Sequence, residues 1–274
     1  MRTLPVIVVA LATAGPVAAQ DVLLRMKPPQ GQVTHYLMGV ETFMKGGPMA
    51  QMMTDTTAPF MRMTGWITNT VTAAAGDEFT LNQVLDSAQI ASPAMPQMEQ
   101  MMGQMTGLMK GTETISRMTS RGRMMAVQVN LPAALKSMMA AQGGREMDMG
   151  SGANSGTMSS FVLLPERPVR VGTSWQDSMT VSLDSAGAAG AKATFAATFT
   201  LKRMEGRVAV IGVDGTYRMV GGPVPGGATF TLTGETRLDV DAGRATAMTA
   251  EMNGSAPTPM GEMPMKVKTT MTQQ

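Results

Sequence analysis

Apolar and polar residues alternate one by one over long stretches of this chain, and this alternation constrains the fold more than any other feature. Thr194–Arg203 reads TFAATFTLKR and Thr229–Val240 reads TFTLTGETRLDV. Successive side chains of a β-strand point to opposite faces, so a period of two predicts strands that are buried on one side and solvated on the other. Antiparallel sheets are commonly built in this way.

Three further segments, Met179–Leu183, Met265–Lys268 and Phe60–Val71, carry the same alternation. Glu205-Gly206 and Asp241-Ala242-Gly243 separate pairs of strands and have the composition of hairpin turns. Several strands extend to about ten residues, longer than the usual five or six, which suits a strongly curved sheet. We expect about ten such strands.

Two segments, Pro96–Lys110 and Pro132–Ala141, interrupt the strand pattern and are predicted to be helices. Proline in the first turn and glycine just after the last are typical helix boundaries. Between them, Thr112–Arg117 and Arg123–Val129 form a predicted hairpin around Ser120-Arg121-Gly122. The predicted fold is mainly β (α+β), a long-stranded curved antiparallel sheet or half-barrel with two helices covering its concave face.

Residues 1–19 have the pattern of a secretory signal peptide. Arg2 gives a basic start, Leu4–Ala14 forms an apolar stretch, and Val17-Ala18-Ala19 supplies small residues for cleavage before Gln20. We therefore expect a protein that is exported to the periplasm or secreted.

Residues 20–274 predict a single β-rich domain with a helical insert at about 93–142 and a flexible Gly/Ser/Met-rich loop at about 143–160. There is no cysteine, so we expect neither disulfides nor a lipid attached to cysteine. No apolar run in this part is long enough to predict a transmembrane helix. The 22 basic residues of the chain nearly balance the 20 acidic ones, which gives no basic footprint for nucleic acid.

Methionine is unusually frequent, with 32 residues against 16 Leu and 5 Ile. It occupies strand positions where the alternation requires an inward apolar residue. The simplest interpretation is that methionine replaces Leu and Ile throughout the core. The methionines expected to face inward from strands are Met61, Met63, Met179, Met248, Met252 and Met265.

The first predicted helix carries methionines at helical spacing on one face. They are Met98, Met101, Met102, Met105 and Met109. The stripe has three interpretations: core packing, an adaptable apolar surface for a hydrophobic ligand, or a thioether site for Cu(I) or Ag(I). Gly103 and Gly107 weaken the helix by about 1 kcal/mol each relative to Ala, which would help it to act as a movable lid.

The sequence does not contain a motif that indicates catalytic groups. His35 is the only histidine, cannot build a multi-histidine zinc site, and is expected to be an exposed or hydrogen-bonded strand residue. Asp77-Glu78 and the pair Asp239 and Asp241 lie at predicted hairpin ends, where acidic residues form turns. No G-x-S-x-G motif and no glycine-rich loop in a βαβ unit is present. We expect no enzyme activity and no cofactor.

Trp66 and Trp175 are predicted to be large anchors in the core or at its rim. Trp175 is also a candidate for lining a ligand cavity.

Two short motifs carry a resemblance to a known family. Leu164–Trp175 reads LPERPVRVGTSW, an LPxxPVxVGxSW pattern, and Leu238–Arg244 reads LDVDAGR, an LDxxxGR pattern. Both motifs resemble a family of uncharacterised bacterial exported proteins. The order of strands, two helices around a hairpin, and further long strands also resembles the LolA-like half-barrel of lipid and lipoprotein carriers. The LolA-like resemblance implies a half-barrel fold only, and the family of exported proteins brings no catalytic residues to carry over to this chain.

The favoured function is a non-enzymatic exported binding protein. It would hold a hydrophobic small molecule, a lipid or a lipoprotein between the curved sheet and the Met-rich helices. The candidate ligand-binding residues are Met98, Met101, Met102, Met105, Met109 and Trp175. The alternatives are a Cu(I)- or Ag(I)-sequestering protein, with Met98, Met101, Met102 and Met105 as ligands, and a structural envelope protein.

Overall fold

The structure is a computed structural model that describes residues 21–44, 46, 53–141, 162–182, 190, 192–221, 227–258 and 261–274. Among these residues, eleven strands form one antiparallel sheet. The strands are β1 (Val33–Met44), β2 (Met61–Ala75), β3 (Glu78–Ala91), β4 (Glu113–Thr119), β5 (Met124–Asn130), β6 (Ser174–Ser182), β7 (Lys192–Glu205), β8 (Val208–Val220), β9 (Ala228–Asp239), β10 (Arg244–Thr258) and β11 (Gly261–Gln273). Two helices, α1 (Glu99–Met109) and α2 (Ala133–Ala141), flank the β4–β5 hairpin, and a single 3-10 turn over Pro96–Met98 leads into α1.

The sheet is nearly closed into a barrel. Its strand order is β5-β4-β3-β2-β1-β11-β10-β9-β8-β7-β6, so almost every strand pairs with its neighbour in sequence, and the first strand pairs with the last. The β5 and β6 edges are the one break in the circle within the described chain. This architecture confirms the predicted fold class, and the long strands allow the curvature that brings the two edges together.

The two ends of this barrel differ. One, which we call the turn end, carries the hairpin turns that join β2 to β3, β4 to β5, β7 to β8 and β9 to β10. The other, which we call the helix end, carries α1 between β3 and β4, and α2 after β5. The turns predicted at Glu205-Gly206 and Asp241-Ala242-Gly243 lie at the turn end, as does the turn around Ser120-Arg121-Gly122.

The inner face of the sheet forms the main core. In β7 the burial alternates residue by residue: every second residue from Ala193 to Leu201 is buried, and the residues between them are half-buried. Methionine does take core positions: Met63, Met248 and Met252 are buried, which confirms the predicted role of these residues. The other inward candidates, Met61, Met179 and Met265, are half-buried.

The two tryptophans have different environments. Trp175 is half-buried at the start of β6 and packs against the main core, as expected of an anchor. Trp66 is 37% exposed. It directly precedes the core residue Ile67 in β2, so its side chain points to the outer face of the sheet. Of the two positions predicted for Trp66, core or rim, the core is therefore wrong.

Two extended segments, 21–32 and 162–173, cover the interior at the turn end. Leu24, Leu163 and Leu164 are fully buried there. The two segments join each other through a pair of backbone hydrogen bonds between Val22 and Val169, each of 2.9 Å. Part of the inner face that was expected to lie under helices is therefore filled by these segments.

An ion-pair cluster bridges the gap between β5 and β6 at the turn end. Asp177, on the inner face of β6, accepts hydrogen bonds from Arg121 Nη2 at 2.9 Å and from Arg123 Nη2 at 2.7 Å. Arg123 Nη1 also donates to the carbonyl oxygen of Ser178 at 3.0 Å. A sheet edge exposes unpaired backbone groups, so these contacts stabilise a seam that the β-ladder leaves open.

Replacement of Asp177 by alanine is expected to lower the free energy of unfolding by about 2 kcal/mol, between the values for exposed and buried pairs, because its carboxylate is mostly shielded. The matched control is Glu41→Ala, which removes the exposed pair with Arg62 and should cost at most about 1 kcal/mol. Urea denaturation of both variants measures the difference. Equal losses would contradict the assignment of Asp177 as the bridge of the seam.

Two predicted regions, residues 1–19 and the loop at about 143–160, lie outside the described residues. Within the part of the chain that the structure describes, no helix is both long and apolar enough to cross a membrane.

Candidate functional site

Helix α1 lies against β3 at the helix end of the sheet. The sequence positions it by its boundaries: Pro96 opens the preceding turn, and Gly111 follows the helix with a positive φ of 82°. Directly after the helix, the amide of Gly111 donates to the carbonyl of Leu85 at 2.8 Å, and the amide of Leu85 donates to the carbonyl of Thr112 at 2.9 Å. The C-terminal end of α1 is thereby tied to the middle of β3.

The methionines of the predicted stripe do not share one environment. Met102 is buried, with 8% of its surface exposed, and Met98 is half-buried. Met109 is half-buried and packs against the main core cluster. The side chains of Met101 and Met105 lie outside the described residues, so the four-methionine metal site stays a prediction. No cluster of three or more His, Cys, Asp or Glu occurs among the residues that were searched, which are the described ones.

Trp175 lies at the turn end, away from α1. Its indole nitrogen donates to the carbonyl oxygen of Leu163 at 2.7 Å, and its ring stacks on Phe199 with a centroid distance of 5.8 Å. These contacts connect β6 to one of the two covering segments. The structure therefore places the Trp175 ring and the α1 methionines at different ends of the inner face.

A row of neutral polar side chains crosses the inner face of β1 to β4, and the sequence analysis missed it. In register, Thr34 lies opposite Asn69, Asn69 opposite Gln83, and Gln83 opposite Thr114. All four are buried, with 5–9% of their surface exposed. Ser116 follows two residues after Thr114 on the same face and is 2% exposed. We call these five residues the polar row.

Several atoms of the polar row have no hydrogen-bond partner among the described residues. They are Asn69 Oδ1, Gln83 Oε1 and Ser116 Oγ. Buried polar groups in proteins are nearly always hydrogen-bonded, so a group of unpaired atoms on adjacent strands is a feature that needs a physical reason. One member of the polar row could have been recognised in the sequence, because Ile67-x-Asn69-x-Val71 places an amide at a position where the alternation requires an apolar residue.

A cavity of about 60 Å³ lies at the turn-end side of the polar row. Thr34 and Asn69 of the row line it, together with Gln32, whose buried Oε1 also has no partner within the described chain. Tyr36 borders the cavity, and its hydroxyl donates to the carbonyl of Ala245 at 2.7 Å. Burial raises the pKa of this hydroxyl to about 12, although the nearby Arg244 lowers it, so the phenol is neutral at physiological pH.

The remaining titratable candidates lie outside this region. His35 is exposed, and its Nδ1 is 3.0 Å from the hydroxyl of Thr68, which confirms the prediction of a hydrogen-bonded strand residue. Asp239 Oδ1 accepts the amides of Asp241 and Ala242, as expected of a turn former.

Comparison of the sequence with protein-family models gives no match, and comparison with curated proteins finds no similar one. What the chain can do is therefore inferred from its own chemistry. The inner face offers an apolar surface rich in methionine, a helix packed at one end, and a neutral polar row that runs toward that helix.

Proposed function

We propose that this chain is an exported, non-enzymatic binding protein that holds a hydrophobic or lipid-like ligand between the inner face of its sheet and the Met-rich helix α1. The observation that carries the proposal is the position of Met109, which extends from α1 onto the apolar cluster that also lines the sheet. A ligand held against that cluster at the helix end would therefore contact the helix as well. The flexible thioether side chains of such a surface adapt to varied apolar shapes.

The inner face supports this proposal at the helix end. Met179, Tyr217 and Phe230 belong to strands β6, β8 and β9, pack against the core cluster, and are only half-buried. Residues deeper in the barrel, such as Leu232 and Leu238, are fully buried. Apolar side chains that stay only half-buried in a concave face are typical of ligand sites.

The helix is suited to move. Gly103 and Gly107 are exposed, and a methyl group added to either would meet no atom within 4 Å. Neither glycine is therefore required by packing, while each lowers the intrinsic stability of the helix by about 1 kcal/mol relative to alanine. An eleven-residue helix is marginal by itself, so its order depends on docking.

Mass spectrometry of the natively purified protein tests the proposal directly. We expect a co-purified lipid-like molecule and a mature N-terminus at or within a few residues of Gln20. Retention of Met1 in the native host would contradict export. Bound copper or silver in place of an organic ligand, lost when Met98, Met101, Met102 and Met105 are all changed to leucine, would contradict the ligand class and favour the metal alternative.

Replacement of both Gly103 and Gly107 by alanine is expected to slow amide hydrogen exchange in α1 by at least about tenfold, since the two substitutions together stabilise the helix by about 2 kcal/mol. The same variant should release a bound apolar ligand more slowly. Hydrogen exchange with mass spectrometric detection, with and without ligand, measures both effects. Gly76→Ala is the control: it changes a glycine of the β2–β3 turn at the opposite end, where a left-handed φ of 60° makes alanine destabilising, so it should not slow exchange in α1. The proposal that α1 acts as a lid would be contradicted if its amides exchanged as slowly as those of the core strands and no apolar ligand changed that rate.

A further inference from the structure

The polar row defines what kind of hydrophobic molecule fits this inner face. We infer that the ligand is a neutral amphiphile whose polar end carries hydroxyl or amide hydrogens that are donated to the buried side-chain oxygens of Asn69 and Gln83. The inference rests on the proposed function, and it deepens that function by naming the polar end of the ligand.

The unpaired oxygens require a donor. Asn69 Oδ1 and Gln83 Oε1 are buried and lie on directly paired residues of β2 and β3. A buried acceptor without a partner destabilises the fold, whereas leucine or methionine at the same positions would have no such cost. Two hydroxyl or amide hydrogens from one ligand, one for each oxygen, would remove the penalty at both residues, because paired side chains on one face are about 5 Å apart.

The polar row lies where a ligand covered by α1 would reach it. Gln83 lies two residues before Leu85. The backbone of Leu85 is hydrogen-bonded to Gly111 and Thr112, just after the helix. Thr114, opposite Gln83, follows Thr112 by two residues. One end of the row therefore lies beside the C-terminal end of α1, and the other end lines the cavity next to residues 26–32.

The opposite side of the barrel supplies the apolar half of the site. Met179, Tyr217 and Phe230 on β6, β8 and β9 are half-buried on the inner face. A molecule with a hydrocarbon body and one polar end matches this division of the surface, with the body on β6 to β9 and the polar group on β1 to β4.

Charge on the ligand is disfavoured. The polar row contains no ionisable side chain, so an anion held there would have no cationic partner within the row, and its oxygens could not donate to Asn69 Oδ1 or Gln83 Oε1. Arg244 is the cation that borders the cavity; it lies at the Thr34 end of the row, whereas Gln83 and Thr114 are not part of the cavity lining. An anion bound beside Gln83 would therefore be buried without a counter-charge, at a desolvation cost that a neutral polar group does not have.

The test compares three ligands that share one hydrocarbon chain and differ at the polar end: monoolein with two hydroxyl donors, methyl oleate with none, and oleate with a negative charge. Each displaces the neutral fluorescent probe phenylnaphthylamine from the full-length mature protein. We expect monoolein to act at a concentration at least about fivefold lower than methyl oleate or oleate, because only monoolein satisfies the buried oxygens.

Two variants test whether the polar row causes the preference for monoolein. Asn69→Leu and Gln83→Met keep the approximate size of each side chain and remove the unpaired oxygen, so we expect both to fold with an unchanged or higher Tm. Each should reduce the preference for monoolein over methyl oleate. The control, Gln89→Leu, changes an exposed glutamine of the same strand and should retain the preference.

Equal action of monoolein and methyl oleate on the unmodified protein, or strongest action by oleate, would overturn the inference and leave the proposed function standing. The inference would also be overturned, with the proposed function left standing, if both Asn69→Leu and Gln83→Met kept the preference for monoolein over methyl oleate. Failure of the protein to bind the probe or any of the three ligands would overturn the proposed function, and the inference with it.

Discussion

Replacement of Phe199 by alanine is expected to lower the free energy of unfolding by about 3–5 kcal/mol, the largest single effect that the core suggests. Phe199 is fully buried on the inner face of β7. Its ring stacks on Trp175 at 5.8 Å and meets Phe195 edge-on at 6.0 Å. Alanine would leave a cavity and remove both aromatic contacts, because the surrounding strands and the covering segment that holds Leu163 cannot collapse into the space.

Phe43 is the matched control for this prediction. It follows the inward residue Thr42 in β1 and lies on the outer face, where Lys268 Nζ is 5.4 Å from the ring centroid. An exposed cation–π contact contributes about 0.5–1 kcal/mol, so Phe43→Ala should cost about 1 kcal/mol. Urea denaturation with an unchanged m-value measures both losses. If Phe43→Ala proved as costly as Phe199→Ala, the assignment of inner and outer faces would be wrong.

The strands could be predicted from the sequence because their signal is local. The segment TFAATFTLKR predicted a strand over Thr194–Arg203, and β7 spans Lys192–Glu205. The same reasoning predicted Met63, Met248 and Met252 as core residues, and all three are buried. Period-two patterning depends only on neighbours in the chain, so it needs no knowledge of which strands pair.

The covering segments could not be predicted in this way. Leu163 and Leu164 are as buried as any strand residue, but their segment has no strand or helix period. Its backbone is held by distant partners: the amide of Leu164 donates to the carbonyl of Arg121, 43 positions earlier in the chain. Contacts of such sequence separation depend on the three-dimensional arrangement of the turns.

The candidate site was only partly visible for a related reason. The helical spacing of the α1 methionines predicted an apolar face, and Met102 and Met109 do contribute to burial at the helix end. The polar row depends on register, because Asn69 and Gln83 become neighbours only when β2 and β3 pair with a particular offset. A single-residue slip would move one of them to the outer face.

Replacement of Gly122 by alanine is expected to lower the free energy of unfolding by about 2–4 kcal/mol, because the substitution combines backbone strain with a clash. Gly122 has a φ of 80° in the β4–β5 turn, where alanine is disfavoured. A Cβ atom there would lie 2.4 Å from the carbonyl oxygen of Val162. The turn would therefore have to separate from the segment that fills the interior at the turn end.

Gly76→Ala isolates the clash from the strain. Gly76 has a φ of 60° in the β2–β3 turn, and an added Cβ would meet no atom within 4 Å. In this variant the free energy of unfolding should fall only by the strain of an alanine with a left-handed φ, about 1–2 kcal/mol. The further loss of unfolding free energy in Gly122→Ala, beyond that in Gly76→Ala, then measures how well the β4–β5 turn packs on Val162. The amide of Leu164 should also exchange hydrogen faster in Gly122→Ala than in the unmodified protein. Equal losses in the two variants, with no change at Leu164, would mean that segment 162–173 is not held against this turn, and the interior would then be open at the turn end.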